Sequence, residues 1–235
     1  MASTAIQENL LQVRARIAAA AERSGRSAEE ITLIAASKTQ PAAAIREAFD
    51  AGVRHFGENR VQEWEGKRGE IAHLQATWHL IGHLQSNKAI KAAGMFHTVD
   101  SVDDFALAQK LDRASNMLPE GRTLRVLLEV QLGREATKSG ISEADAPALA
   151  EKVVGLQRLK LAGLMCIPPF FEDADEVRPY FARLRDLRDQ LEVRLGRKFP
   201  VLSMGMSNDF QAAILEGATE VRVGTALFGV RSAAI

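Results

Sequence analysis

Lys38 closes a short apolar run, Ile31-Thr32-Leu33-Ile34-Ala35-Ala36-Ser37-Lys38, and the chain passes at once into Thr39-Gln40-Pro41 and a helical pattern. An amine at the carboxyl end of a buried strand stands at the mouth of an α/β fold, where such folds keep their chemistry. Desolvation there disfavours an ammonium, and the neutral amine condenses with an aldehyde to a Schiff base. Two further stretches, Ser203-Met204-Gly205-Met206-Ser207-Asn208-Asp209 and Arg222-Val223-Gly224-Thr225-Ala226-Leu227-Phe228-Gly229, suit a phosphate. Each offers a glycine for close backbone approach and a hydroxyl at a predicted helix start. Asp209 opposes an anion there unless it points away. Arg222, within Val221-Arg222-Val223, needs a partner if it is buried: a carboxylate or an aromatic nitrogen acceptor.

The elements that must position these groups alternate. β-type runs are predicted at 31–37, 53–57, 77–82, 95–99, 123–131, 159–167, 200–204 and 220–224. Helical patterns fall between them at about 41–51, 59–73, 86–93, 101–116, 143–156, 174–195 and 208–216. The 174–195 helix carries the clearest stripe, Val177, Phe181, Leu184, Leu187, Leu191 and Leu195. Ahead of the first strand, Ile6, Leu10, Val13 and Ile17 share one helical face, so residues 1–25 read as an amphipathic helix packed on the domain. Strands separated by helices imply parallel pairing through right-handed crossovers. Eight such units in under 250 residues fit a single (β/α)8 TIM barrel spanning 1–235, with little length left for a further domain. The alternative, an open doubly wound sheet, expects a Gly-x-Gly-x-x-Gly turn after strand 1 that is missing here.

Bulk properties narrow the partners. The 235 residues are 46% hydrophobic and carry thirty basic and thirty acidic side chains, so no net charge or basic block favours nucleic acid or a membrane surface. No apolar run approaches the roughly 18 residues of a membrane span. The charged amino terminus lacks a signal-peptide core, and the lone Cys166 fits a reducing compartment. These features predict a cytoplasmic protein. With no long exposed apolar stripe, a monomer is expected.

Closing the barrel sets predicted strands 7, 8 and 1 side by side. Ile34, Ala36 and Lys38 then share one face of strand 1, and Arg222 and Gly224 share one face of strand 8. If both faces point inward, small Ala36 leaves room and Arg222 reaches between the amine and the phosphate loops. Amine, phosphate cradle and an arginine donating to a ring nitrogen together describe pyridoxal 5′-phosphate.

At this level of detail the chain resembles the pyridoxal phosphate homeostasis protein family, related to the barrel domain of alanine racemase. The resemblance rests on Ala36-Ser37-Lys38-Thr39, Phe56-Gly57-Glu58-Asn59, Trp78-His79-Leu80-Ile81-Gly82-His83-Leu84-Gln85-Ser86-Asn87-Lys88, Gly163-Leu164-Met165, Leu202-Ser203-Met204-Gly205-Met206-Ser207 and Arg222-Val223-Gly224-Thr225. Leu80 stands where phenylalanine or methionine is expected. The resemblance implies a fold type III cofactor barrel in which Lys38 carries the cofactor reversibly as a Schiff base and Asn59 lies nearby. It further implies that Ser207, Gly224 and Thr225 hold the phosphate and Arg222 the ring nitrogen; Met204 joins the binding set. Lys138 matches a family position and reads as a surface lysine. The implied role is intracellular supply of the cofactor, with cofactor-requiring apoenzymes as partners.

Carrier and enzyme readings part on the remaining residues. An arginine is always protonated and donates to the ring nitrogen, which discourages the pyridinium form that aminotransferases exploit. Racemase-like chemistry needs a second acid/base on the opposite face. Tyr180 is expected outside the mouth, and Cys166 reads as a small buried apolar residue. His79 and His83 lack a metal-ligand pattern, while His55, His73 and His97 read as scattered structural or exposed groups. The expected function is therefore a cofactor-holding protein, with a weak amino-acid racemase as the alternative. A Schiff-base aldolase barrel would instead carry its lysine on a mid-barrel strand.

Overall fold

A computed structural model describes residues 4–133 and 139–229. Helix α1 (Ala5–Arg23) starts at a reciprocal cap: Gln7 N–H donates to Thr4 Oγ, and Thr4 N–H donates to the Gln7 side chain. Its buried stripe, Leu10, Val13, Ile17, Ala20 and Ala21, continues the face seen in the sequence. Asn9 donates to the Leu227 carbonyl at 3.0 Å, and Arg16 pairs with Gln211 at 2.9 Å and covers the Phe210 ring. These contacts fasten the leading helix to the carboxyl-terminal elements of the barrel.

Eight parallel strands close on themselves: β1 (Thr32–Ala36), β2 (His55–Glu58), β3 (Thr77–Leu80), β4 (Thr98–Val102), β5 (Leu124–Gln131), β7 (Leu159–Met165), β8 (Val201–Met206) and β9 (Glu220–Val223), with β9 paired back to β1. The expected (β/α)8 barrel is therefore the observed fold. A further short strand, β6 (Ile141–Ser142), pairs parallel with Val130 and Gln131 at the end of β5, outside the closed ring. Helices α2 (Ala42–Asp50), α3 (Val61–Ile71), α4 (Ala89–Met95), α5 (Phe105–Ala114), α6 (Ala146–Val154), α7 (Arg178–Leu195), α8 (Phe210–Leu215) and α9 (Thr225–Phe228) follow the strands. Among the described residues no helix is long and apolar enough to cross a membrane.

Most boundaries shift by a few residues from the sequence reading, and two of the shifts have identifiable reasons. The fourth strand, expected at 95–99, runs Thr98–Val102. Asp100 and Ser101 have the character of loop residues, yet both are buried and bonded: Thr98 Oγ donates to Asp100 at 2.8 Å, and Ser101 Oγ donates to the Gly82 carbonyl at 2.7 Å. Helix α7 begins at Arg178 rather than 174, with Pro179 in its first turn, where a missing N–H costs nothing.

Strand alternation divides the interior. Leu33 and Ala35 belong to the apolar shell between strands and helices, whereas Leu127, Ala162, Met165 and Val201 form a separate cluster within the barrel. Several other inward positions are polar. His55 Nδ1 meets His79 Nε2 at 3.0 Å, His79 Nδ1 meets Asp100 at 3.1 Å, and Arg125 pairs with Glu220. His55 and His79, unrelated in the sequence reading, are thus linked, because β2 and β3 are neighbours with Gly57 opposite His79. Burial, the neighbouring His79 and Arg125 push His55 down to about 4. Burial alone would raise Asp100, but His79 and Thr98 outweigh it and hold the carboxyl below its ordinary range.

Candidate functional site

The carboxyl end of β1 passes at Ala36 into a turn holding Ser37 and Lys38. Lys38 is half-buried, and among the described residues its amine has no hydrogen-bond or ion-pair partner. Thr39 follows in the left-handed region at φ 63°, a conformation that costs a non-glycine residue roughly 1–2 kcal/mol. On the adjacent strand Gly57 stands in register with Ala36, so Asn59 and Lys38 each lie two residues past that pair. Asn59 is set against the end of β3 by Gly82, where a Cβ would come within 2.5 Å of the Asn59 carbonyl oxygen.

On the other side of β1, Ile34 faces Arg222 of β9. Gly224 packs against Ala36, and a Cβ on that glycine would lie 3.5 Å from the Ala36 oxygen, an ordinary contact. Arg222 is 3% exposed. Its Nη1 donates to the Ser203 carbonyl at 2.7 Å and to Ser203 Oγ at 2.8 Å, and its Nη2 donates to the Cys166 carbonyl at 2.7 Å. Every partner is neutral, and no ion pair to Arg222 occurs among the described residues. No described carboxylate is bonded to it, although its charge is felt by Glu129 and Asp209. A guanidinium has five N–H donors, so the Nε–H and one Nη2–H are left for something else.

The loops after β8 and β9 meet at one oxygen. Ser207 Oγ accepts from Gly224 N at 3.2 Å and from Ala226 N at 3.3 Å. The sequence places this hydroxyl at the start of the helix that follows β8. It serves instead the first turn of α9, the helix whose start Thr225 marks in the sequence. Both lone pairs are taken, so the Ser207 proton is left to donate outward, beside exposed Thr225. The β8 strand bends into this loop through a bulge: three steps from Ser203 to Met206 face two from Glu220 to Arg222. Gly205 makes the bend at φ 92°, where a Cβ would lie 2.6 Å from the Ala213 Cβ. Asp209 accepts the Met206 N–H at 2.5 Å; burial raises its carboxyl, with that bond and Arg222 opposing.

The structure thus gathers Lys38, Asn59, Arg222, Ser207, Gly224 and Thr225 at one mouth, but not the Met204 side chain. Met204 is fully buried in the shell outside the barrel, because alternation gives the inward position to Ser203. Only its backbone can face a ligand. Ser203 is the residue the motif reading passes over, and its signal is its place one step before Met204. Glu129, 4% exposed at the end of β5, carries no motif signal either; Ser139 donates to one oxygen at 3.1 Å and the other has no partner among the described residues. Burial raises its carboxyl, with Ser139 and Arg222 opposing. Cys166 is buried as expected and its thiol is pushed up to about 12 by burial, leaving its carbonyl as the useful atom. Tyr180 lies against Phe171 at the start of α7. His79, Asp100 and Glu220 bring ligand atoms within 4.8 Å of one another, but the Arg125 guanidinium already compensates Glu220 there. Lys138 lies outside the described residues.

Comparison with known proteins gives the family and the fold. Residues 4–232 match the family model described as alanine racemase, N-terminal domain. A curated relative from Pseudomonas aeruginosa, named pyridoxal phosphate homeostasis protein, is 50% identical over 227 residues, covering 96% of each chain. The solved structure of PipY from Synechococcus elongatus, with PLP bound, superposes with a TM-score of 0.84 at 43% identity and covers 95% of this chain and 100% of that one. An alanine racemase of Clostridium difficile shares the fold at a TM-score of 0.69 and 18% identity, over 97% of this chain and 57% of its own.

Proposed function

We propose that this chain, which belongs to the alanine racemase N-terminal domain family and to its pyridoxal phosphate homeostasis group, binds pyridoxal 5′-phosphate at the carboxyl mouth of its barrel and holds it reversibly. The observation that carries the reading is Arg222: among the described residues, a buried guanidinium with only neutral hydrogen-bond partners and two N–H donors to spare, between a lysine amine without a partner and two amide-bearing loops. A heterocyclic nitrogen accepts such a donor without adding charge, which a second buried cation could not do. In this reading Lys38 supplies the primary amine and Asn59 lines the same edge. Ser207, Gly224 and Thr225 face the phosphate, and Met204 contributes backbone alone. When bound, the cofactor supplies an aldehyde that condenses with a primary amine, releasing water, in a bond that hydrolysis reverses. Reversibility suits a carrier whose recipients are cofactor-requiring apoenzymes. We assign this role to a monomer acting in the cytoplasm, with 1–235 as one barrel domain.

Glu129 favours a second reading, a weak racemase-like activity, since a buried carboxyl at the mouth is a candidate proton donor. Exchange of amino-acid α-protons in deuterated water distinguishes the two; rates typical of enzymes would overturn the carrier role. The primary test is titration of the protein with pyridoxal 5′-phosphate while following Schiff-base absorbance. The band is expected in wild type and in Lys91→Ala, whose surface lysine pairs with Glu65 at 2.6 Å, and is expected to vanish in Lys38→Ala. A wild type without the band ends the proposal.

A further inference from the structure

Among the described residues the amine of Lys38 has no partner, yet the turn that carries it is tied closely to helix α3. Lys67 on α3 is only 8% exposed, and its ammonium donates to the Ser37 carbonyl at 3.0 Å and to Glu58 Oε1 at 2.9 Å. Its third N–H lies between the Gln40 carbonyl and Glu63 Oε1, both at 3.4 Å. Glu63, one helical turn before Lys67, accepts the N–H of Thr39. Glu58 Oε1 also accepts from Ser37 Oγ at 2.5 Å. Residues 37, 39 and 40 are thus each tied to this cluster, while Lys38 alone among the four is not. A lysine ammonium has three donors in a tetrahedral set: one reaches the Ser37 carbonyl, one reaches Glu58, which itself accepts from Ser37 Oγ, and the third is shared between the Gln40 carbonyl and Glu63, which accepts from Thr39.

The arrangement is costly unless it does something. Lys67 and Glu58 are both removed from water, and Glu58 Oε2 is buried without a hydrogen-bond partner among the described residues. Burial raises the Glu58 carboxyl, with the Lys67 charge and the Ser37 bond opposing. Thr39 would relax out of its left-handed conformation if released, and a relaxed turn carries Lys38 with it. Buried charge and backbone strain are here concentrated on the one turn that aims the free amine.

We infer that Lys67 is a positioning residue: with Glu63 and Glu58 it clamps the Ser37–Gln40 turn so that the Lys38 amine faces the mouth. The inference rests on Lys38 being the attachment point of the cofactor. If the clamp is lost, only a fraction of molecules present the amine correctly, and apparent affinity falls by that fraction.

Two ligands separate positioning from general damage. Pyridoxal 5′-phosphate uses the amine, ring and phosphate contacts; pyridoxine 5′-phosphate shares the ring and phosphate but has no aldehyde. The double variant Glu58→Gln/Lys67→Met removes both buried charges together, so neither is left uncompensated, and thermal unfolding of the ligand-free protein checks that it folds. Lys67→Arg, whose planar fork cannot reproduce the tetrahedral set, is the second variant. Both are expected to weaken pyridoxal 5′-phosphate binding about tenfold, judged by the Schiff-base band, with pyridoxine 5′-phosphate binding unchanged. Equal weakening for both ligands, or for neither, would overturn the clamp while leaving the Lys38 reading in place. Absence of the band in wild type would instead remove the attachment point, and the clamp with it.

Discussion

Ser207→Ala offers the sharpest test of the phosphate cradle. In the native site its oxygen accepts two amide N–H groups, from Gly224 at 3.2 Å and Ala226 at 3.3 Å, which leaves the hydroxyl proton as a donor polarised by both bonds. A hydrogen bond from such a donor to a phosphate dianion contributes about 1.5–3 kcal/mol. Its loss corresponds to roughly a ten- to a hundredfold weaker Kd. The cost to the fold is smaller, because both amides lie near the surface and water can replace the oxygen; about 1 kcal/mol in a urea titration is expected. The assay is a pair of titrations on the Schiff-base band, with pyridoxal 5′-phosphate and with pyridoxal, which lacks the phosphate. Only the first should weaken in Ser207→Ala. If both weaken together, Ser207 supports the loops and not the phosphate. If neither does, the cradle is misplaced.

Arg222→Gln removes the donor proposed for the ring nitrogen, so pyridoxal and pyridoxal 5′-phosphate are both expected to bind more weakly, by a similar factor, with a shifted band. It also strands the Ser203 and Cys166 carbonyls, a loss of about 1–3 kcal/mol in unfolding free energy; an unaltered spectrum would exclude Arg222 from the ring contact. His55 predicts a pH dependence. Its folded value near 4 lies below the ordinary 6.5, so the unfolded chain binds the proton more readily between those limits. Stability from this group is complete above pH 6.5 and is lost as pH falls to about 4. The ring is half-buried and partly screened by water, so about 1–2 kcal/mol is expected, visible as a difference between about pH 7 and about pH 4.5 in wild type that shrinks in His55→Asn. Equal pH responses in the two proteins would rule this out.

The sequence alone determined a great deal here. Alternating apolar runs and helical stripes specify a (β/α)8 barrel, since parallel strands buried on both faces and amphipathic helices have few other ways to close. Closure in turn puts Lys38 beside the loops after the last two strands, so the amine, the arginine and the two glycine-bearing loops are legible together. What escapes are polar residues with no periodic signal. Asp100 reads as a loop aspartate until β3 and β4 set it beside His79, and His55 as an isolated histidine until β2 and β3 pair. Met204 looks like part of the cradle by proximity in the chain, but strand alternation sends its side chain to the outer shell and gives Ser203 the contact with Arg222. The Lys67 clamp is not legible at all, because it joins residues 37–40 to a helix some thirty positions later through carbonyl groups that every residue has. Residue type and spacing declared which groups could do chemistry. Which backbone atoms would receive a buried charge was decided only when the chain folded, because a desolvated ammonium or guanidinium must bond whatever acceptors packing leaves within reach.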